Sequence, residues 1–358
     1  MPQLSVDQFR KFSMDLFAAA GASKAESTAV TDSLIFASLH GHDTHGAGHL
    51  PLYINNYLGI GPFGGSVNKD GKVTIVKESP ATIAIDANWC LGQKVAMDAT
   101  QMVIEKAKVT GIAAATMYQC THTGALGYFV YEIVKNDMIG LAFTGAAAVS
   151  PPWGGAERML GTNPLSIGVP AGKEYPLLID MATSSNTWAG IGPLLASGKI
   201  PDGMLLNDDG EPSNDPRDFS RPGAEQRGAM QNMGGGHKGY ALQLAVEMLG
   251  AVWPGLITGN ENFATGKFNN PTSIIAINVS FFQDLQAFKD KIDSRIREIK
   301  SSKKKSGVDE ILIPGERGFK AQERRVKEGI PIIDHYWHEI VGLAEKLNVP
   351  LPEGEPVH

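Results

Sequence analysis

The chain has 358 residues, of which 42% are apolar and 20% are charged, as in a globular protein with a large core. Its net charge of -6 argues against nucleic acid as the main partner, because phosphate binding requires a basic face. The sequence has no recognisable membrane span or signal peptide, and two cysteines are too few for a disulfide framework. We therefore expect a cytoplasmic protein that does not act at a membrane.

Two helices are predicted at the start of the chain. Ser5 and Ser23 are each followed three residues later by Gln or Glu, which is the spacing of a capping box. The second helix leads into the segment 38–58, SLHGHDTHGAGHLPLYINNYL, in which four histidines fall within ten residues. A short helix over 50–58, with Pro51 in its first turn, is expected to follow the histidines.

This histidine cluster has three possible interpretations. It could be an acid/base site, because the imidazole is the side chain whose ordinary pKa lies nearest neutral pH. It could be a metal site, although neither an HExxH helix nor a cysteine partner supports that reading. It could also be a polar loop whose histidines are satisfied by nearby backbone groups. The residues concerned are His40, His42, His45 and His49, with Asp43, Thr44 and Tyr53 beside them.

The middle of the chain alternates short strands with irregular segments. The stretch 59–65, GIGPFGG, formally matches G-x-G-x-x-G, but no strand precedes it and no helix follows, so a dinucleotide fingerprint is not indicated. Residues 151–172 are rich in Gly and Pro, as in loops that approach a ligand. Strands are predicted at 73–76, 82–86, 112–117, 138–144, 177–181 and 273–279, and helices at 93–108 and 241–249.

Three features of this region suggest chemistry. His122, like His45, lies close to a glycine that leaves room for a ligand, so both are candidates for general acid/base catalysis. Asp180 comes at the end of an apolar strand and could point into a cleft. The loop 234–239, GGGHKG, presents free backbone N–H groups and Lys238 before a helix, an arrangement that suits phosphate.

Helices are predicted again after residue 285, so helical ends flank a strand-rich middle. We predict an α+β, or mixed, fold in which the N- and C-terminal segments pack together beside a central, largely antiparallel sheet. A doubly wound parallel sheet is not favoured, because the strands lack a regular helix between each pair. The predicted domains are 1–115 plus 285–358, which is mainly helical, and 116–284, which contains the sheet.

Several long motifs occur in a characteristic order through almost the whole chain. They are GHDTHGAGHLPLY, THTGALGY, PWGGAERMLGTNPLSIGVPA, LIDMATS, GGGHKGYALQLAVEML, ILIPGER and GIPI. On these motifs the chain resembles the malate/L-lactate dehydrogenase family, a group of oxidoreductases that use NAD or NADP without a Rossmann fold. The resemblance implies hydride transfer between the nicotinamide and a small 2-hydroxy acid or its 2-oxo partner. It also implies a homodimer, with the cofactor on the sheet domain and the substrate on the helical domain.

The resemblance further implies roles for individual residues. His122 and His45 match the two positions proposed as proton donor/acceptor, and we favour His122 because it follows a buried strand. Thr44, His49 and Tyr53 match positions near the substrate, and no metal is implied. The positions implied to contact the cofactor are Thr162, Asn163, Asp180, Met181, Ala182, Lys238, Gly315, Glu316 and Arg317.

The chain departs from the family pattern at His49, where many members have an arginine in SHG-x-x-R. A guanidinium there would hold a substrate carboxylate through two hydrogen bonds, which an imidazole cannot do. The segment 145–147, GAA, also stands where relatives often carry polar residues near the cofactor. Two alternatives to a 2-hydroxy acid dehydrogenase remain open. One is a reductase of a cyclic 2-imino acid, and the other, from a different class, is a metal-dependent hydrolase that uses the histidine cluster. A protein that binds the cofactor without turnover is a third.

Overall fold

The computed structural model of the chain describes residues 2–61, 67–219, 228–255 and 269–352. The glycine-rich stretch 59–65 lies mostly outside these ranges. The helices are α1 Val6–Ala19, α2 Lys24–Leu39, α3 Leu50–Leu58, α4 Gly92–Thr110, α5 Leu126–Lys135, α6 Trp188–Ser197, α7 His237–Glu247, α8 Leu285–Lys300, α9 Glu316–Glu328 and α10 Asp334–Leu347.

The strands form one large sheet and three small ones. Those of the large sheet are β2 Thr74–Glu78, β3 Thr82–Asp86, β4 Ile112–Tyr118, β5 Met138–Thr144, β8 Leu165–Val169, β9 Leu177–Met181 and β13 Thr272–Asn278. Those of the small sheets are β1 Gln3–Leu4, β6 Ala148–Ser150, β7 Leu160–Gly161, β10 Leu205–Leu206, β11 Pro212–Ser213, β12 Ala229–Met230 and β14 Ile330–Pro331.

The large sheet has the strand order β2-β3-β4-β13-β5-β8-β9. Only the β3–β4 pair is parallel, and the other neighbouring pairs are antiparallel. The sheet is therefore mixed and largely antiparallel, as predicted. Helices α4 and α5 pack on it and bury a core that includes Val103, Ile133 and Ile274.

The two ends of the chain share a second core. Apolar residues of α1 and α2, such as Phe9 and Leu34, pack with Ile340 of α10. Strands β1 and β14 join the ends by antiparallel pairing. Helix α2 also packs against α4 and α9, so this helical unit is fixed against the sheet.

Local sequence explains where the first helices begin and end. Ser5 and Gln8 exchange side-chain and backbone hydrogen bonds of 2.9 and 3.1 Å at the start of α1, and Ser23 and Glu26 do the same for α2. Helix α3 runs over 50–58 as predicted and ends at Gly59, whose φ of 78° is readily adopted by glycine.

The structure differs from the sequence-based predictions in three places. The domain boundary predicted at 115/116 falls inside β4, which spans Ile112–Tyr118. Strands β2 and β3, which precede this boundary, already belong to the large sheet. The segment 314–317, PGER, is predicted from the sequence to be a tight loop, but α9 begins at Glu316. Lys238 lies within α7, which starts at His237, and not in the loop before the helix. Within the ranges that the structure describes, no helix is long and apolar enough to cross a membrane.

Candidate active site

A cavity of about 220 Å³ lies between the helical unit and the large sheet. One side, which we call the helical wall, comes from α3, the segments on either side of it and the segments that precede α4 and α5. The other side, the sheet wall, comes from the ends of sheet strands and the loops after them. The helical wall is His42, Thr44, His45, His49, Leu52, Tyr53, Asn56, Val67, Trp89, Leu91 and 121–126; the sheet wall is Thr144, Ala146, Ala147, Thr162, Pro164, Asp180, Met181, Ala182, Thr187 and Asn270.

Helix α3 presents one face to the cavity. His49, Leu52, Tyr53 and Asn56 recur at intervals of three, one and three residues, which places them on the same side of an α-helix. The opposite face carries Ile54, which is fully buried in the core of the helical unit. Packing of one face therefore fixes the side chains on the other.

Three imidazoles form the centre of the helical wall. The ring centroids of His45 and His49 are 5.3 Å apart, those of His45 and His122 are 5.7 Å apart, and those of His49 and His122 are 5.8 Å apart. The angles between ring planes are 11° to 25°, so the rings are nearly parallel. Nearly parallel rings do not converge on one ion, and no metal-binding group of three His, Cys, Asp or Glu occurs among the described residues.

Two hydroxyl groups fix the orientation of two of these rings, those of His45 and His122. The hydroxyl oxygen of Tyr53 lies 2.7 Å from Nδ1 of His122, and Oγ1 of Thr44 lies 3.2 Å from Nδ1 of His45. In both rings the hydroxyl partner lies at Nδ1, so a proton exchanged with a substrate would pass through Nε2. A base held by a third group in this way is typical of acid/base sites.

Burial keeps the imidazoles neutral. Burial, together with a smaller effect of neighbouring imidazoles, lowers the pKa of His45 to about 4 and that of His122 to about 3. Burial also holds the pKa of His49 well below its usual value. The pKa of Tyr53 is raised by burial, so its phenol stays protonated at neutral pH. Gln93, fully buried on α4, lies beside this phenol and acts against the rise in its pKa.

Close backbone packing holds the two histidine loops in place. A Cβ atom on Gly46 would lie 2.9 Å from the backbone nitrogen of Ser38, and one on Gly92 would lie 2.2 Å from the carbonyl oxygen of Thr121. Glycine is therefore required at both close approaches. Arg325 of α9 pairs with Asp43 at 2.5 Å and also donates to the Ser38 carbonyl, which ties the first loop to the C-terminal region.

The sheet wall differs in its chemistry, because small side chains dominate it. Ala146 and Ala147 are buried there, and Thr144 bonds to Thr272 at 2.9 Å. The carboxylate of Asp180 accepts a hydrogen bond of 2.8 Å from the backbone N–H of Gly127. Burial raises the pKa of Asp180, against the opposing effects of His42 and of that hydrogen bond.

A second cavity, of about 190 Å³, shares His42, Asp180 and Met181 with the first. Gly315 and Arg317 line it from the start of α9. His40 lines it as well, and its buried Nε2 has no hydrogen-bond partner among the described residues. The two cavities are therefore neighbours, and the unsatisfied nitrogen of His40 is a group that a polar cofactor could satisfy.

The residues implied to contact the cofactor are not equally well placed for that role. Thr162, Asp180, Met181 and Ala182 line the first cavity, and Gly315 and Arg317 line the second. Asn163 is fully buried and bonds to Glu247 at 2.7 Å and to the backbone nitrogen of Ala146 at 3.3 Å, so it supports the wall from behind. Glu316 is 4% exposed and pairs with Lys300 and Lys320. Lys238 is exposed on α7 and borders neither cavity.

Sequence reasoning missed several residues that border the first cavity. Trp89 and Leu91 come from the segment before α4, and Asn270 comes from the segment before β13. Each is separated by more than 30 residues from the nearest predicted site residue. Its position in the sequence therefore did not indicate that it would border the cavity. The positive φ of 60° at Trp89 is a structural feature that the sequence does not reveal.

The chain is similar to known proteins along nearly its whole length. A family model described as malate/L-lactate dehydrogenase matches residues 4–341. A malate dehydrogenase of Pyrococcus horikoshii is 33% identical, over 96% of this chain and 95% of the relative. An L-sulfolactate dehydrogenase of Methanocaldococcus jannaschii is 33% identical, over 98% of each chain.

Solved structures extend the comparison to the fold. A malate dehydrogenase from Entamoeba histolytica has a TM-score of 0.91 and 29% identity, over 98% of this chain and 99% of the other. A delta1-piperideine-2-carboxylate reductase from Pseudomonas syringae pvar. tomato, 22% identical over 96% of this chain and all of the other, has a TM-score of 0.81 and shares the fold. The prediction of an oxidoreductase is confirmed. The chain belongs to the malate/L-lactate dehydrogenase family.

Proposed function

We propose that the chain transfers a hydride between a nicotinamide cofactor, NAD or NADP, and a small 2-hydroxy acid or its 2-oxo partner. The observation that carries this proposal is the group of three half-buried, neutral imidazoles, one of them held by Tyr53, at the centre of the helical wall. Relatives named malate, L-sulfolactate and hydroxycarboxylate dehydrogenases support the substrate class.

The sheet wall and the second cavity suit the cofactor. Thr162, Asp180, Met181 and Ala182 would border it along the first cavity, and Gly315 and Arg317 along the second. The small side chains of the sheet wall leave room for a flat ring beside the imidazoles. The chemistry that nicotinamide supplies when bound is hydride transfer.

His122 is the proposed proton donor and acceptor. The oxygen of Tyr53 can accept a hydrogen bond from Nδ1–H of His122, so Nε2 is the ring atom that would take the proton from a substrate hydroxyl. The imidazolium formed keeps the same hydrogen bond, so Tyr53 holds the His122 ring in both its neutral and its protonated form. In the reduction direction the same Nε2–H returns its proton to the developing hydroxyl oxygen.

His45 and His49 are proposed to hold the substrate carboxylate. Both rings lie within 6 Å of the ring of His122, so a carboxylate beside them places the adjacent carbon near Nε2 of His122. An anion close to these rings favours their charged form and therefore raises their pKa values. Substrate binding and proton uptake are coupled in this arrangement.

The test is a panel of 2-oxo acids and cyclic 2-imino acids, each with NADH and with NADPH, followed by loss of nicotinamide absorbance. Turnover of at least one 2-oxo acid is the expected result. Turnover only of cyclic imino acids would favour the imine reductase instead. Stoichiometric bound zinc with chelator-sensitive hydrolysis would favour the metal-dependent hydrolase, and cofactor binding without any turnover would favour a non-catalytic role.

We also propose that the enzyme is a cytoplasmic homodimer, with the substrate on the helical unit and the cofactor on the sheet. The family resemblance is the support for the dimer. Analytical ultracentrifugation at micromolar concentration measures the oligomeric state directly. A single species with the mass of one chain, 38.2 kDa, would contradict the dimer.

A further inference from the structure

Beyond the imidazoles the helical wall carries a group of apolar side chains, together with the polar Asn56 on the cavity face of α3. Leu52 follows His49 by one turn on the cavity face of α3, and Val67 and Leu91 line the cavity beside it. Leu91 is 2% exposed and belongs to the same core as Tyr53, against which Val67 also packs. Leu52, Val67, Trp89 and Leu91 are called the apolar patch below.

The apolar patch is held rigidly. The backbone N–H of Trp89 donates to the carbonyl of Gln119 at 2.7 Å, and the carbonyl of Trp89 accepts from Asn68 at 2.9 Å. The N–H of Gly92, next to the patch, donates to Oγ1 of Thr121 at 2.8 Å. A pre-formed apolar surface of this kind gains from contact with an apolar group and has no need to rearrange.

Positive charge is scarce around the cavity. Among its described lining residues there is no lysine or arginine, and the imidazoles are the groups that can become cationic. The one acidic side chain among those residues is Asp180, on the sheet wall. A substrate with one carboxylate can place it at the imidazoles. A second acidic group placed against the apolar patch or near Asp180 would be disfavoured, because neither position stabilises an anion.

We propose that the substrate is a 2-oxo acid, or the corresponding 2-hydroxy acid, with a single carboxylate and an apolar side chain that lies on the apolar patch. This inference rests on the proposed function and narrows it. It separates this enzyme from the relatives named malate and L-sulfolactate dehydrogenases, whose substrates carry a second acidic group.

The test compares kcat/KM for pyruvate, 4-methyl-2-oxopentanoate, phenylpyruvate and oxaloacetate. Each is measured with whichever of NADH and NADPH supports the faster turnover. Each methylene buried is worth roughly fourfold, so 4-methyl-2-oxopentanoate, with three more carbons than pyruvate, should be better on the order of 50-fold. Oxaloacetate should be the poorest of the four, because its second carboxylate would meet the apolar patch.

Variants at Leu52 locate the effect. Leu52→Arg should raise kcat/KM for oxaloacetate about tenfold and lower that for 4-methyl-2-oxopentanoate. Asn55→Arg is the matched control, because Asn55 lies on α3 outside the cavity lining and should leave the order of preference unaltered. If Leu52→Arg does not fold, Leu52→Ala serves instead and should reduce turnover of 4-methyl-2-oxopentanoate more than that of pyruvate.

The outcomes separate the inference from the proposed function. Oxaloacetate as the best substrate, or equal activity on all four acids, would overturn the inference while the proposed function stands. Binding of NADH or NADPH without turnover of any acid would overturn the proposed function and the inference with it. A preference for the apolar acids that Leu52→Arg reverses, and Asn55→Arg does not, would support both.

Discussion

The two walls of the cavity differ in what they contribute. The helical wall carries every histidine of the site, and the side chains that orient His45 and His122 come from the same wall. The sheet wall carries small residues such as Ala146 and Ala147, and Thr144, whose hydroxyl bonds to that of Thr272. On the proposed function, reactivity and substrate choice would belong to the helical wall, whereas the sheet wall would supply space for the nicotinamide ring. Substitutions on the two walls should therefore have different kinetic effects.

The largest effect is expected at His122. His122→Asn should lower kcat by about 10²–10⁴-fold, because a general acid/base contributes about that much. Binding of NADH, measured by fluorescence titration, should be retained. His45→Asn is the matched variant and should act mainly on KM. Loss of turnover in His45→Asn, with activity kept in His122→Asn, would exchange the two roles.

A substitution on the sheet wall should affect the cofactor instead. Ala182→Leu places a larger side chain at the cavity, and overpacking of this kind costs about 1–3 kcal/mol. The Kd for the reduced cofactor should rise about tenfold, with a smaller change in KM for the acid. Ala18→Leu, on the exposed side of α1, is the control. A change in KM alone would contradict the division between the walls.

His49→Arg tests how the helical wall holds a carboxylate. A bidentate charged hydrogen bond is worth about 1.5–3 kcal/mol, so KM for simple 2-oxo acids should fall about tenfold or more. His49→Lys should produce a smaller gain, because an ammonium lacks the planar pair of donors. An unaltered or higher KM for every acid tested would show that the carboxylate is held away from residue 49.

Stability should fall with acidification because of the same imidazoles. In the unfolded chain they bind protons near pH 6.5, whereas burial lowers the pKa of His45 to about 4 and that of His122 to about 3 in the folded chain. The unfolded state therefore binds more protons, and each imidazole removes about 1.4 kcal/mol per pH unit as the pH falls from 6.5 toward its folded pKa. Urea unfolding at pH 7 and pH 5 measures the loss.

His122→Asn should make this pH dependence shallower, since one titrating group is removed. His338→Asn is the control, because His338 is exposed on α10. Equal slopes for the wild type and His122→Asn would mean that His122 is as easily protonated in the folded chain as in the unfolded one.

The smallest effect is expected at Lys238. An exposed charge contributes about 0.2–1 kcal/mol, so Lys238→Ala should raise the cofactor Kd at most about fivefold. Lys238→Arg keeps the charge and should bind as the wild type does. An unchanged Kd in Lys238→Ala would remove Lys238 from the cofactor site.

Part of this molecule was predictable because its causes are local. Capping pairs at Ser5 and Ser23 set the starts of α1 and α2, and Pro51 with Gly59 set the limits of α3. Helix α9 was not predicted because it lacks such a local signal. Gly315 precedes it, and no Ser, Thr, Asp or Asn caps its first turn. The order of the motifs was enough to identify the family.

Contacts between distant parts of the chain could be decided only by tertiary structure. Strand β13 lies between β4 and β5, although some 130 residues separate β5 from β13. The chain distance does not predict this pairing, because the strand order depends on which apolar faces pack together. The bond from Tyr53 to His122 spans 69 positions, and Arg325 reaches Asp43 across 282. Histidines that the sequence marks as reactive thus acquire their low pKa values and their partners only when the helical unit closes on the sheet, since burial and orientation arise from packing.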